Sequence, residues 1–282
     1  MGINVNCDVE RRVYDSTCLM TFMHCPRKFY FRVLRGLEPK EESPAIRFGK
    51  AIHEALHCWY AERDEAKAVA SLTSLPSSLT AGRLNKEQAE TIVREYIARY
   101  RDEPLIPIAL EHSFELEIDC GKKLAGRMDA VVRWGQQIYV LEHKTSSSIG
   151  LFLFNNLRPH TQFDGYCLAC RALFGRCDGV IVNAISTAAS PRERFLRHLS
   201  ARTEEELKAY RQSFKWWTDL IEKCKEEGVW PTNSSRCGLY GRCIYWELCV
   251  YGENQKLIDA KFKEVRDEDS KESESGRMVR GL

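Results

Sequence analysis

The 282-residue chain lacks most of the features that would narrow its class at a glance. Residues Met1 to Glu10 do not read as a secretory leader, so none is expected, and no apolar run approaches the roughly 20 residues that cross a bilayer. A soluble, cytoplasmic protein is expected, with no membrane partner. No internal repeat is evident, which leaves an ordinary globular fold. Charge of one sign is missing too: 42 Lys+Arg stand against 40 Asp+Glu, a net +2. That balance neither demands nor excludes nucleic acid, because binding depends on a local basic channel rather than on the total. Cysteine, by contrast, is plentiful, with 12 residues. In a reducing compartment a disulfide framework is not expected, and clustered cysteines read first as metal ligands. The length suffices for a full core, as one decorated domain or two small ones.

The most informative stretch is Leu124 to Thr145, LAGRMDAVVRWGQQIYVLEHKT. Val131, Val132, Ile138, Tyr139, Val140 and Leu141 are strand formers, and Gly135 suits the first central position of a two-residue hairpin turn. With Gly135 and Gln136 as the loop, Trp134 faces Gln137, and counting back sets Asp129 opposite Glu142, their Cβ atoms roughly 5 Å apart. Glu142 and Lys144 share that face, while His143 points away. Two carboxylates and an ammonium then converge. Such carboxylates repel each other unless a divalent cation sits between them, and hard oxygen ligands suit Mg²⁺ or Mn²⁺. A surface hairpin with a cross-strand charge pair explains the stretch equally well by itself.

Asp129 followed by Glu142-His143-Lys144 resembles the PD-(D/E)XK nuclease superfamily, with Met128 where the name has proline. Its fold is the restriction-endonuclease-like α/β core, a mixed central sheet flanked by helices. The chain order agrees with that core. Helices are predicted first: Asp15 or Ser16 caps one through His24, and PRKFYFRVLRG forms a second from Pro26 to Gly36, leaving Cys25 at the junction. Another covers Phe48 to Glu62 and a fourth Lys86 to Tyr100, with Pro76 to Asn85 as a loop between them. From Glu111 the pattern turns to strands, HSFELEID and then the hairpin. Thr161 to Phe174 is a helix, Asp178 to Thr187 a buried strand, Arg194 to Leu199 a partner strand, and Glu204 to Glu227 a long amphipathic helix.

The helix Phe48 to Glu62 holds His53-Glu54-Ala55-Leu56-His57, a literal match to the zinc-protease signature H-E-x-x-H. RecB-type nucleases resemble the same segment, with a glycine four residues before a metal-binding histidine, here Gly49 and His53. A protease needs a third protein ligand, and the sequence has no distinctive downstream signature for one. His57 is then a packing or phosphate-contacting residue. Within Thr161 to Phe174, Gln162 and Tyr166 share a helix face. A Gln-x-x-x-Tyr pair is usually a polar helix edge, but after Asp and Glu-x-Lys it resembles the RecB-type motif whose side chains contact the lysine or the DNA backbone.

Cys237, Cys243 and Cys249 recur at regular gaps among aromatic residues, and three convergent thiolates call for a metal and a fourth ligand. The segment STCLMTFMHCPRKFYF is similar to the opening of RecB-type nucleases with an iron-sulfur cluster. That resemblance implies Cys25 as the first ligand of a 4Fe-4S cluster, with structural Zn²⁺ on four cysteines as the alternative. The gap of five residues between Cys237 and Cys243 departs from the gap of two common in that group.

The resemblance covers most of residues 15 to 250 and includes CRISPR-associated, AddB-type and phage-encoded members. It implies that Asp129, Glu142, the His143 carbonyl and His53 hold the divalent ion, that Lys144 orients the attacking water, and that Gln162 and Tyr166 position the strand. Arg127 and Arg158 are weaker candidates for phosphate contacts. The implied activity is a DNA exonuclease acting on single strands or duplex ends in recombination or repair, with room for a recombination or helicase partner. A non-catalytic DNA-end-binding subunit and the zinc protease stay as alternatives. The expected organisation is a helical region over 1–110, a nuclease core over 111–200, a helix with cysteines over 201–252 and a charged tail over 253–282.

Overall fold

Capping side chains, prolines and glycines set most element boundaries. The computed structural model describes residues 7–76, 84–150, 154–239 and 241–265. Strand β1 (Val13–Asp15) leads into helix α1 (Ser16–His24), whose cap is Asp15: its carboxylate accepts from the Cys18 N–H at 2.6 Å, one of the donors left over at a helix start. Cys25 is extended and ends α1, and Pro26 opens α2 (Pro26–Phe29), which continues as a π-helical turn over Tyr30–Leu34. Strand β2 (Leu37–Pro39) precedes α3 (Pro44–Glu62), α4 (Glu65–Ala70) and α5 (Lys86–Tyr100), the last two capped by Asp64 and Asn85. Three strands follow: β3 (Ile106–Asp119), β4 (Lys122–Trp134) and β5 (Gln137–Ser146). The rest comprises α6 (Thr161–Phe174), β6 (Gly179–Ser186), β7 (Phe195–Ser200), α7 (Glu204–Glu227), α8 (Trp246–Tyr251), α9 (Gln255–Lys261) and β8 (Phe262–Glu264). No described helix is long and apolar enough to cross a membrane.

The chain forms two units, one of residues 42–116 and 126–212, the other of residues 1–41, 117–125 and 213–282. The first holds a mixed sheet in the order β4-β5-β6-β7, with β5 and β6 parallel and their flanking pairs antiparallel. β6 is buried along its whole length, as expected of a strand covered on both faces. Ala130, Val132, Tyr139, Leu141, Ile181 and Ile185 point to one face, where they join Ile52, Leu56, Trp59, Ile92, Val93 and Tyr96 of α3 and α5 in one core. On the other face lies α6. This is the α/β arrangement expected: a mixed sheet between helices.

In the second unit β1 pairs in parallel with Lys123–Ala125, and β2 pairs antiparallel with β8. Phe31, Leu37, Tyr245, Leu248, Ile258 and Phe262 make its small core, and the Tyr245 hydroxyl donates to the Leu37 carbonyl at 2.6 Å. Cys7 and Cys18 are bonded where free thiols were expected. The Asp8–Val13 backbone pair folds Cys7 back beside α1, and the other ten cysteines are free.

Several boundaries depart from the sequence reading. α3 begins at Pro44, ahead of the expected Phe48, since a proline suits the first helical position. β3 begins at Ile106, ahead of Pro107, because a proline is tolerated at the start of a strand, where its missing N–H breaks no ladder bond. Residues 255–264, which composition assigns to the tail, form α9 and β8; pairing with β2 and burial of Ile258 and Phe262 hold them. The remainder of the expected tail, 266–282, and residues 77–83 of the expected loop lie outside the described residues.

Candidate active site

The β4–β5 hairpin has the predicted register: Trp134 pairs with Gln137 and the ladder runs to Ala130 opposite Leu141. φ is positive at Gly135 and not at Gln136, the signature of a type II′ turn. The next pair along would be Asp129 and Glu142. Here the regular ladder gives way to a side chain, since Asp129 Oδ2 accepts the His143 N–H at 2.8 Å. The strand that sets the acids opposite each other thus also anchors one of them by a charge-assisted bond.

His53 reaches the same oxygen from α3, with Nδ1 3.3 Å from Asp129 Oδ2. Gly49 makes that approach feasible: a Cβ at this position would stand 2.9 Å from Thr145 Oγ1, so only glycine lets the helix lie this close to β5. Glu54 is exposed and His57 half-buried. The H-E-x-x-H match therefore does not act as a unit, because its first histidine faces a carboxylate and its glutamate faces solvent.

On the opposite side, Lys144 Nζ donates to Glu142 Oε1 and to Gln162 Oε1, each at 2.7 Å. Gln162 Nε2 donates to Glu142 Oε1 and to the Tyr166 hydroxyl oxygen, each at 3.0 Å, and that hydroxyl donates to the Arg127 carbonyl at 2.6 Å. The one-turn spacing of Gln162 and Tyr166 thus ties α6 to both hairpin strands. Glu142 is only 3% exposed, and its second oxygen, Oε2, is buried with no hydrogen-bond partner. A buried carboxylate oxygen left bare costs free energy unless something electropositive meets it.

The electrostatics divide the two acids. Burial, and next the negative charge of Asp129, push Glu142 up to about 7, with Lys144 opposing. Burial also favours the neutral form of Asp129, but the His53 imidazole and the His143 N–H outweigh it and hold that carboxyl well below the usual range. Burial disfavours charge on His53 as well, yet Asp129 wins and raises it. Burial lowers the His143 ring to about 3, so it is neutral. A carboxylate pair pushed apart in this way is a common property of reactive sites.

The structure brings together His53, Asp129, Glu142, His143, Lys144, Gln162 and Tyr166. Arg127 and Arg158 are already engaged, with Glu111 at 2.9 Å and with Glu206 at 2.7 Å. Sequence reasoning missed Glu111, a half-buried carboxylate raised first by burial and then by Asp129; a lone Glu opening a strand gave no signal. It also missed Phe163, whose ring lies 5.6 Å from Lys144 Nζ.

In the other unit, Asn233 Nδ2 donates to the His24 carbonyl at 2.9 Å and the Arg27 N–H to the Pro231 carbonyl at 3.0 Å. These bonds dock the segment before Cys237 on the turn that holds Cys25. The Cys243 N–H donates to the Cys237 carbonyl at 2.8 Å. Cys249 lies at the surface, but its thiol is raised, by partial burial first and then by Cys25, with Cys243 and Cys237 adding to it. Among the described residues, no three or more His, Cys, Asp or Glu side chains are arranged to hold a metal ion as they stand.

Residues 17–250 match the PD-(D/E)XK nuclease superfamily. The chain belongs to that superfamily. Among solved structures, the chain resembles a proposed exonuclease from Eubacterium rectale, with a TM-score of 0.55 at 14% identity over 90% of this chain and 94% of that one. It also matches the protein SSO0001, with a TM-score of 0.35 at 18% identity over 76% of this chain and 90% of that one. No curated protein matches.

Proposed function

We propose that this nuclease is a RecB-like, metal-dependent exonuclease that resects DNA ends in recombination or repair. The observation that carries the reading is Glu142: one oxygen held by Lys144 and Gln162, the other buried and without a partner, beside Asp129. Hard oxygen donors with an imidazole alongside fit Mg²⁺ or Mn²⁺. Asp129, Glu142, His53 and the His143 carbonyl would hold the ion. Bound there, it would supply Lewis acidity, stabilising charge on the phosphate and making a water more acidic. Lys144 orients that water, with its ammonium fixed between Glu142 and Gln162. Tyr166 and Gln162 hold the helix edge along which the strand is positioned. At the other end of the chain, Cys25, Cys237, Cys243 and Cys249 would ligate a 4Fe-4S cluster, or Zn²⁺ as the alternative; the docking of 231–237 on 24–27 supports the grouping.

The experiment is incubation of labelled single-stranded and duplex DNA with anaerobically purified protein in Mg²⁺, Mn²⁺ or EDTA. Degradation from ends with either metal and none in EDTA is the expected result. End binding without cleavage under all three conditions would replace the enzyme with a binding subunit.

A further inference from the structure

Behind β5, within the unit of residues 42–116 and 126–212, five side chains close a polar circuit inside an apolar core. Arg197 Nε donates to Asn183 Oδ1, Asn183 Nδ2 donates to the Tyr96 hydroxyl at 2.7 Å, the hydroxyls of Tyr96 and Tyr60 are 2.8 Å apart, Tyr60 reaches Glu103 at 2.6 Å, and Glu103 pairs with Arg197. Tyr60, Tyr96 and Asn183 are buried. The direction of each hydrogen bond in the circuit can be assigned. A guanidinium has no acceptor, so Asn183 must turn its oxygen to Arg197 and its amide to Tyr96. Tyr96 then donates to Tyr60, and Tyr60 to Glu103.

The same amide lies 3.3 Å from His143 Nδ1. That nitrogen is therefore an acceptor, and the ring carries its proton on Nε2. His143 in turn packs edge-on against His53, ring centroids 5.8 Å apart at 85°, while its backbone N–H holds Asp129. A polar circuit buried in a core stabilises less than well-packed apolar residues of the same volume would. What such a circuit does supply is fixed orientation of the side chains it joins.

We propose that Asn183, oriented by Arg197, Tyr96, Tyr60 and Glu103, is a positioning residue for the divalent-metal site, fixing the His143 ring as the buttress that keeps His53 against Asp129. The inference rests on the metal-binding reading above. It assigns a role to five residues spread over three helical or loop segments and two strands, none of which touches the ion.

Two measurements on the full chain test it. Long-range ¹H–¹⁵N correlation of metal-free wild type should show His143 as the Nε2–H tautomer; the Nδ1–H form would overturn the proposal without any variant. Asn183→Asp keeps the acceptor for Arg197 but removes the donor, so His143 should switch to Nδ1–H. Mn²⁺ affinity, from free Mn²⁺ counted by electron paramagnetic resonance, should weaken by about tenfold, the low end for losing a group that orients a metal ligand. Glu142→Ala serves as the control. A folded Asn183→Asp protein with wild-type Mn²⁺ affinity overturns this inference alone. Wild type that binds no Mn²⁺ overturns the metal reading along with it.

Discussion

The acidic site and the cysteine group are assembled by opposite means. Asp129, Glu142, Lys144, Gln162 and Tyr166 lie within one hairpin and the next helix, placed by strand alternation, a glycine turn and one-turn helix spacing, and joined by hydrogen bonds from Lys144 to Arg127. Cys25 and Cys237 are separated by more than two hundred residues, and their segments are docked by a bond from the Asn233 side chain to the His24 carbonyl and a backbone bond from Arg27 to Pro231. On the proposed reading, the residues of the first group serve chemistry and those of the second hold the fold.

The sharpest way to break that contrast is to remove an acid. Glu142→Ala or Asp129→Ala should cut DNA cleavage by about 10⁴-fold, equivalent to about 5 kcal/mol of transition-state stabilisation, while the protein stays folded. Near-normal cleavage by either protein would refute the site. Second, Cys25→Ser or Cys243→Ser should do the reverse: closing a loop of this length contributes about 5 kcal/mol in the chain-entropy model. The variants should be colourless, protease-sensitive and poorly soluble, whereas Cys58→Ser, Cys170→Ser and Cys224→Ser should keep wild-type colour. Metal analysis of anaerobic protein decides between iron and zinc, and wild-type stability in Cys25→Ser with neither metal bound would remove the staple altogether.

A smaller effect separates binding from chemistry. Lys144→Ala should slow single-turnover cleavage by about 10²-fold to 10³-fold with DNA affinity nearly intact, since its contact is with the nucleophile; equal losses in both would make it a phosphate contact. The smallest effect is on stability. Glu142, raised to about 7 in the fold against an ordinary carboxyl near 4.5, contributes stability that is complete below that ordinary value and lost as pH rises through about 7. In EDTA, Glu142→Gln should therefore melt a few degrees above wild type at pH 8 and equally at pH 4.5. A gap of the same size at both pH values would mean the carboxyl is not raised.

What could be read from sequence is what local rules govern. The Asp129–Glu142 register followed from Gly135 and a two-residue period; the Gln162–Tyr166 pair followed from helical geometry; the ends of α7 matched because its buried residues, Leu207, Tyr210, Phe214, Ile221 and Cys224, keep helical spacing. His53 was legible only as one of two incompatible motifs, and its contact with Asp129 supports the nuclease one. Glu111, the Asn183 circuit and the β2–β8 pair were hidden for one reason. Each depends on residues far apart in sequence and of types common on any surface, so no spacing marks them. The same holds for the two interleaved units, which composition parses as consecutive blocks.

That interleaving has a temporal side. On the ribosome, the last residue of the unit of residues 42–116 and 126–212, which carries the acidic site, emerges before strand β8, which the other unit needs to pair with β2. At about 5–20 residues per second, roughly ten to forty seconds separate the synthesis of Cys25 from that of Cys237. Throughout that interval the segment around Cys25 lacks the residues Pro231 and Asn233 that dock on it.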